Sequence, residues 1–253
     1  MFCRYLFSHP LPEQKKIASF ISEIDRAIAV LRARVLGLET YKCGLMQALF
    51  SQRLRFAKPD GTAFPDWREK RLGEALFEHK AKSTGKEQVY SVSVQKGLVN
   101  QIEHLGRSFS AATTDHYNRV KPHDIVYTKS LTGDFPLGII KQSLVQTDVI
   151  VSPLYGVFTP ETPALGFMLH AFFESNINVS NYLSPIVQKG AKNTINVTNA
   201  GFLSKSLVLP VSHDEQQKIA DALQTMDVNI QAVAAMVRQM ESFKKGLLQQ
   251  MFV

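Results

Sequence analysis

One long segment of this chain occurs twice. Residues 13–50 align with residues 215–252 at a constant offset of 202 and without a gap. Fifteen of the aligned positions are identical, among them Glu13/Glu215, Gln14/Gln216, Ile17/Ile219, Asp25/Asp227, Gly44/Gly246 and Phe50/Phe252. An internal repeat constrains a fold before any local propensity does, because both copies must be satisfied by one architecture. Here a single structural element is used twice, with something different held between the copies.

The apolar positions of the first copy are Ile17, Ile21, Ile24, Ile28, Leu31, Val35, Leu38, Leu45 and Leu49. The second copy repeats the register with Ile219, Leu223, Met226, Ile230, Val233, Val237, Met240, Leu247 and Met251. The steps alternate between four and three, the a/d pattern of a coiled coil, sustained for about five heptads. The spacing predicts two helices, each roughly 55 Å long at the α-helical rise. Each is the natural partner of the other. If both leave the intervening domain from one end, they run antiparallel and bury the two stripes together. The plainer alternative is two ordinary core helices of one globular domain, but those carry a wider apolar face.

Both copies interrupt the stripe at the same d position, with Lys42 and Lys244. A polar residue in such a seam can fix register and orientation. The blander expectation, preferred on the sequence, is that each stem lies over the seam and leaves its ammonium in water.

The 253 residues suffice for one substantial domain and an extension. The longest apolar stretch, residues 164–173, is too short to span a bilayer and contains His170. The opening residues lack the apolar core of a signal peptide. Cys3 and Cys43 have no metal-ligand spacing to a histidine, which points to a reduced, cytoplasmic chain. The net charge of +7 favours an anionic partner, but the excess is spread along the chain rather than gathered in a tail.

Between the repeats the pattern changes. Lys58-Pro59-Asp60-Gly61 is a turn signal, and Phe64-Pro65-Asp66-Trp67 closes a linker. Residues 68–79 read as a short helix with Leu72, Ala75 and Leu76 on one face. Residues 89–94, 124–128, 137–140 and 154–158 read as strands. Residues 164–173 read as a buried helix, and 207–210 as a last strand stopped by proline. The fold class is therefore α+β: one α+β domain flanked by two long helices that form an antiparallel coiled coil. The boundaries are residues 11–57 for the first helix, 58–210 for the domain and 211–253 for the second helix. Residues 2–10 parallel 202–210 at an offset of 200, so residues 1–10 read as the remnant last strand of a second such domain.

This order of parts resembles the specificity (S) subunit of type I restriction-modification systems. The run Pro10-Leu11-Pro12-Glu13-Gln14-Lys15-Lys16-Ile17-Ala18 and its second occurrence, Glu215-Gln216-Gln217-Lys218-Ile219-Ala220, resemble the motif that opens that family's helices. Lys42-Cys43-Gly44-Leu45-Met46-Gln47 and Lys244-Lys245-Gly246-Leu247-Leu248-Gln249 resemble its helix-end motif. Residues 124–130 and 151–158 are similar to parts of its recognition domains. The resemblance covers essentially the whole chain, with one departure: the family carries two target-recognition domains, and the first is missing here.

The resemblance implies a non-catalytic subunit that reads one half of a split target in double-stranded DNA. Its paired helices would act as spacer and as docking surface for methyltransferase subunits, through which a restriction subunit joins. No cofactor is expected on this chain; S-adenosylmethionine belongs to the methyltransferase. Two copies could form a homodimer, and no membrane association is expected. The competing class is a coiled-coil adaptor whose middle domain binds protein.

Candidate DNA contacts fall in three places. Lys189, Lys192, Asn193 and Thr194 lie in a glycine-containing basic run, where lysines suit phosphates and asparagine suits adenine. Lys129 and Ser130 follow a strand. Lys96, Asn100 and Arg107 lie in turn-rich sequence. Any one cluster could equally be a solvated loop. Pro65-Asp66 followed by Glu78-His79-Lys80 fits a loose metal-nuclease pattern, but the three groups fall on a linker and a short helix, poorly placed to converge on Mg²⁺. The seven histidines include no i, i+4 pair that would suit a metal.

Overall fold

The first helix begins where proline allows it. Pro10 precedes helix α1 (Leu11–Phe50) and Pro12 sits in its first turn, where a missing amide proton costs nothing. The helix ends as Ser51 N–H bonds back to Gln47 O and Gln52 takes a left-handed backbone, φ 58°. The computed structural model describes residues 10–105, 113–129, 133–189 and 195–251. It divides into a helical unit, residues 1–53 with 222–253, and an α/β unit, residues 54–221.

In chain order the α/β unit holds β1 (Arg68–Arg71), α2 (Leu72–Ala75), β2 (Leu76–Phe77), β3 (Tyr90–Ser93), β4 (Gly97–Asn100), α3 (Gln101–Leu105), β5 (Asn118–Val120), β6 (Ile125–Thr128), β7 (Ile139–Gln142), β8 (Val149–Val151) and β9 (Gly156–Pro160). There follow α4 (Pro163–Phe172), α5 (Asn176–Leu183), β10 (Gln188–Lys189), β11 (Ile195–Asn196), α6 (Asn199–Ser204) and β12 (Ser206–Leu209). The second long helix, α7 (His213–Met251), starts in this unit and continues into the helical one.

Within the helical unit, α1 and α7 are antiparallel. Asp25 pairs with Lys244, Arg32 with Glu241 and Lys42 with Asp227, so numbering rises on one helix as it falls on the other. Ile24, Ile28 and Val233 of the heptad stripe are buried, as are Met46, Leu49 and Leu223. Ile17, Ile21, Leu31, Val35, Leu38, Met226, Ile230, Val237 and Met240 are half-buried, as expected of a two-helix seam open along both sides. Ile219 is an exception to the coiled-coil assignment. It is buried, but it belongs to the α/β unit, whose boundary falls inside α7.

The blander expectation for Lys42 and Lys244 is wrong. Lys42 Nζ donates to Asp227 Oδ1 at 2.6 Å, with its side chain only 10% exposed. Lys244 Nζ donates to both Asp25 oxygens at 2.5 and 2.7 Å. Asp25 and Asp227 are themselves equivalent in the repeat, so each pair is the symmetry image of the other.

A four-stranded antiparallel sheet, ordered β2-β9-β6-β7, centres the α/β unit. Alternation along β6 and β9 feeds two cores. Ile125, Tyr127 and Phe158 join the larger, where the Phe202 ring stacks on Tyr127 and Phe158 with centroids 5.1 Å away in both cases. Val126 and Val157 join a valine-rich second core with Val120, Val149 and Val151. Helix α4 is capped by Thr162 Oγ1, which accepts from Leu165 N at 3.0 Å. It approaches the sheet so closely that a Cβ on Gly166 would lie 2.5 Å from Gln142 Nε2.

The short helix expected over residues 68–79 is instead a strand, one helical turn and a second strand. Arg68–Arg71 pairs antiparallel with Ser206–Leu209. Leu76–Phe77 pairs with the end of β9. Both partners lie far away in sequence, so local periodicity could not reveal them. The start of α7 is tied down in the same unit. Arg55 donates from Nε and Nη2 to the fully buried Glu215 carboxylate, at 3.0 Å in each case. Ser212 Oγ accepts from Glu215 N at 3.4 Å, an N-cap.

Candidate nucleic-acid interface

Where β2 ends, the chain runs on beside β9 and passes a cavity of about 220 Å³. Glu78, Lys80, Lys82, Asn118, Pro153 and Asn199 are among its lining residues. Its wall is set by a buried polar anchor. Asp124, wholly buried, accepts from Lys121 N at 2.8 Å and from Thr159 Oγ1 at 2.7 Å. Its Oδ2 also lies 2.9 Å from His79 Nε2. Ala81 N donates to His79 Nδ1 at 3.0 Å, so Nδ1 is the acceptor and Nε2 carries the proton given to Asp124. The carboxylate thus has three donors, which its burial demands.

Two further clamps shape the cavity. Lys82 Nζ donates to Asn118 Oδ1 at 2.6 Å and to His116 O at 3.2 Å. Asn118 Nδ2 donates to Tyr155 O at 2.9 Å and Pro153 O at 3.4 Å, holding the turn between β8 and β9. On the other side Asn199 Nδ2 donates to Glu78 Oε1 at 2.7 Å. Lys129 stands at the end of β6. Desolvation lowers the pKa of its ammonium, and the negative charge of Glu78 works against that shift.

The residues singled out in the sequence are placed unevenly. Lys96 is exposed in the turn between β3 and β4. Asn100 is not available to read a base. It is buried, donates to Gln88 Oε1 at 2.9 Å and accepts from Ile102 N at 2.9 Å, capping α3. Lys189 ends β10 and pairs with Ile195 of β11. Arg107, Ser130, Lys192, Asn193 and Thr194 lie outside the described residues. Of the nuclease-like pattern, Glu78 and Lys80 line the cavity. Asp66 does not line it; it is fully exposed and pairs with Arg55 at 3.4 Å. Among the described residues no group of three or more His, Cys, Asp or Glu is placed to hold a metal. No described helix is long and apolar enough to cross a membrane.

Sequence reasoning did not bring Lys80 and Lys82 together as lining residues of one cavity. The pattern Lys80-Ala81-Lys82 was there to be read, but the nuclease-like motif absorbed Lys80 and nothing local marked Asn118 as the partner of Lys82.

The fold is that of type I restriction-modification specificity subunits. The chain is similar to the crystal structure of the S subunit of a type I restriction-modification system from M. genitalium, with a TM-score of 0.56 and 12% identity, over 96% of this chain and 61% of that one. It is also similar to a chain from a structure of the type I restriction-modification system described in terms of complex assembly and conformational transition, with a TM-score of 0.50 and 13% identity, over 96% of this chain and 60% of that one. The chain thus spans about three-fifths of the length of these structures. No protein-family model and no curated protein matches it.

Proposed function

We propose that the chain is a half-length specificity subunit whose α/β unit recognises one half-site in duplex DNA, and that it is not itself an enzyme. The observation that carries the reading is the arrangement of parts: one α/β unit between two copies of a helix that pair antiparallel, on the fold of the S subunits. The charge supports it, with Lys80 and Lys82 lining one cavity of the α/β unit, Lys129 near enough to Glu78 to feel its charge, and a net +7 over the chain. The helix pair serves as spacer and as the surface on which methyltransferase subunits dock, a restriction subunit joining through them. S-adenosylmethionine is then bound by the methyltransferase. Lys189 and Lys192 are assigned to phosphates and Asn193 to a base edge.

The test is binding of the full chain to short duplexes across a salt series. Specific and non-specific binding should both weaken steeply as salt rises, because phosphate contacts release counterions. Lys189→Ala with Lys192→Ala should weaken binding to all sequences, whereas Asn193→Ala should relax preference at one position. Incubation with duplex, Mg²⁺ and labelled S-adenosylmethionine should give neither cleavage nor methylation. Cleavage that disappears in Glu78→Ala would instead make the chain a nuclease. Salt-insensitive capture of a protein partner without DNA binding would favour the adaptor.

A further inference from the structure

Two exposed side chains near the cavity stand out. Lys80 is a non-glycine residue with a left-handed backbone, φ 54°. That conformation is disfavoured for any residue with a Cβ, and here it is imposed: His79 is fixed by Asp124, and Ala81 N–H is fixed by His79 Nδ1, so the residue between them has little choice. The result is an exposed lysine held at the cavity wall. The second feature is Leu154, 73% exposed at the tip of the turn from Ser152 to Tyr155. A single exposed leucine is ordinary. This one sits on a turn closed by Tyr155 N–H to Ser152 O at 3.1 Å and by Leu154 N–H to Ser152 Oγ at 3.3 Å. Asn118 clamps the same turn, and Lys82 clamps Asn118. The side chain is apolar and held on a closed turn, and its neighbour Pro153 lines the cavity together with Lys80 and Lys82.

We propose that this edge of the cavity is a DNA-contacting surface, with Leu154 pressed between stacked bases and Lys80 on a neighbouring phosphate. The inference rests on the DNA-binding reading above and adds to it the place and the manner of contact. Charge complementarity selects the occupant: a polyanion fits the exposed Lys80 ammonium near an apolar tip, and an acidic protein surface offers no stack for the tip to enter. A preorganised wedge loses little freedom on insertion, and inserted aliphatic side chains unstack base steps. Lys82 acts as a positioning residue, since its ammonium is already engaged in holding the turn.

The experiment uses the full chain, a salt titration and duplexes carrying 2-aminopurine at successive positions. The unaltered chain should bind and raise the fluorescence at one step. Lys80→Gly removes the charge and accepts the left-handed backbone without strain, so its melting temperature should hold or rise. Its slope of log affinity against log salt should fall by about one. Leu154→Ser should keep the slope and lose the fluorescence change. Binding by the unaltered chain with both variants indistinguishable from it would overturn this surface while leaving DNA recognition standing. Failure of the unaltered chain to bind any duplex at low salt would overturn both.

Discussion

Lys42 Nζ meets Asp227 Oδ1 at 2.6 Å across the two long helices, and the pair is largely shielded, with the side chains 10% and 28% exposed. Its image, Lys244 with Asp25, is 27% and 53% exposed. Shielding should separate their energetics. Removing Lys42 leaves a half-buried carboxylate without this donor, at a cost of about 1–3 kcal/mol. The more solvated image pair should contribute less than about 1 kcal/mol. Double-mutant cycles read by thermal melts would show it. Equal coupling in the two pairs would mean that burial does not govern them. Lys42→Asp combined with Asp227→Lys should recover most of the loss.

Val233 is buried in the seam of the helical unit, and Leu31 is half-buried on the facing stripe. A carboxylate at Val233 has to be desolvated, which costs several kcal/mol in principle. Val233→Asp should therefore lower the helical signal in circular dichroism and the melting temperature, and Leu31→Asp should do so less. A melt unchanged by Val233→Asp would contradict the pairing of α1 with α7.

Arg55 neutralises Glu215, a carboxylate with no exposed side-chain surface. Arg55→Met should destabilise the α/β unit by roughly 3–5 kcal/mol, since the charge stays buried when its partner goes. Adding Glu215→Gln should return part of that. If the single and double variants melt together, the pair is not what holds the start of α7.

Glu87 should leave a mark on acid stability. Burial would raise its pKa, but hydrogen bonds from the Thr84 hydroxyl and amide and from the Ser83 hydroxyl outweigh it and hold the group at about 2, against an ordinary 4.5. A carboxylate depressed in the folded state contributes stability above its unfolded pKa and loses it as pH falls through the folded one. Urea midpoints should therefore drop between pH 4.5 and about 2. Glu87→Gln should flatten part of that fall, and an identical acid limb in the variant would assign the dependence elsewhere.

On the proposed half-subunit reading, the single α/β unit reads one half-site. A dimer would be two-fold symmetric, so its target would be an inverted repeat. If two copies associate, sedimentation with an inverted-repeat duplex should show two chains per duplex, and without it one; a single chain on the duplex would mean that each copy reads its half-site alone. A strict monomer that prefers an asymmetric two-part site to either half would contradict the half-subunit reading.

The long helices were legible because their signal is local and doubled. The ion pairs between them were not, although Asp25, Lys42, Asp227 and Lys244 stand at matched positions, and an antiparallel overlay of the repeat on itself brings each lysine to an aspartate. β6 and β12 were legible from runs of three apolar residues, Ile125-Val126-Tyr127 and Leu207-Val208-Leu209, each with a proline close by. Arg68-Glu69-Lys70-Arg71 has no such run, and it is a strand only because Ser206–Leu209 lies beside it. The cavity wall was hidden for the same reason: His79, Asp124 and Thr159 come together only in the folded sheet.

The matched ion pairs have a consequence for the helices as mechanical parts. Each helix carries an aspartate and, the same distance further on, a lysine, together with the same apolar stripe. Laid antiparallel against a copy of itself, either helix would again bring each lysine to an aspartate, whereas the Arg32–Glu241 pair has no image because Ala234 stands at the position of Arg32. In those lysine–aspartate pairs the strut reads alike from both ends, and its register would survive an exchange of one helix for its twin.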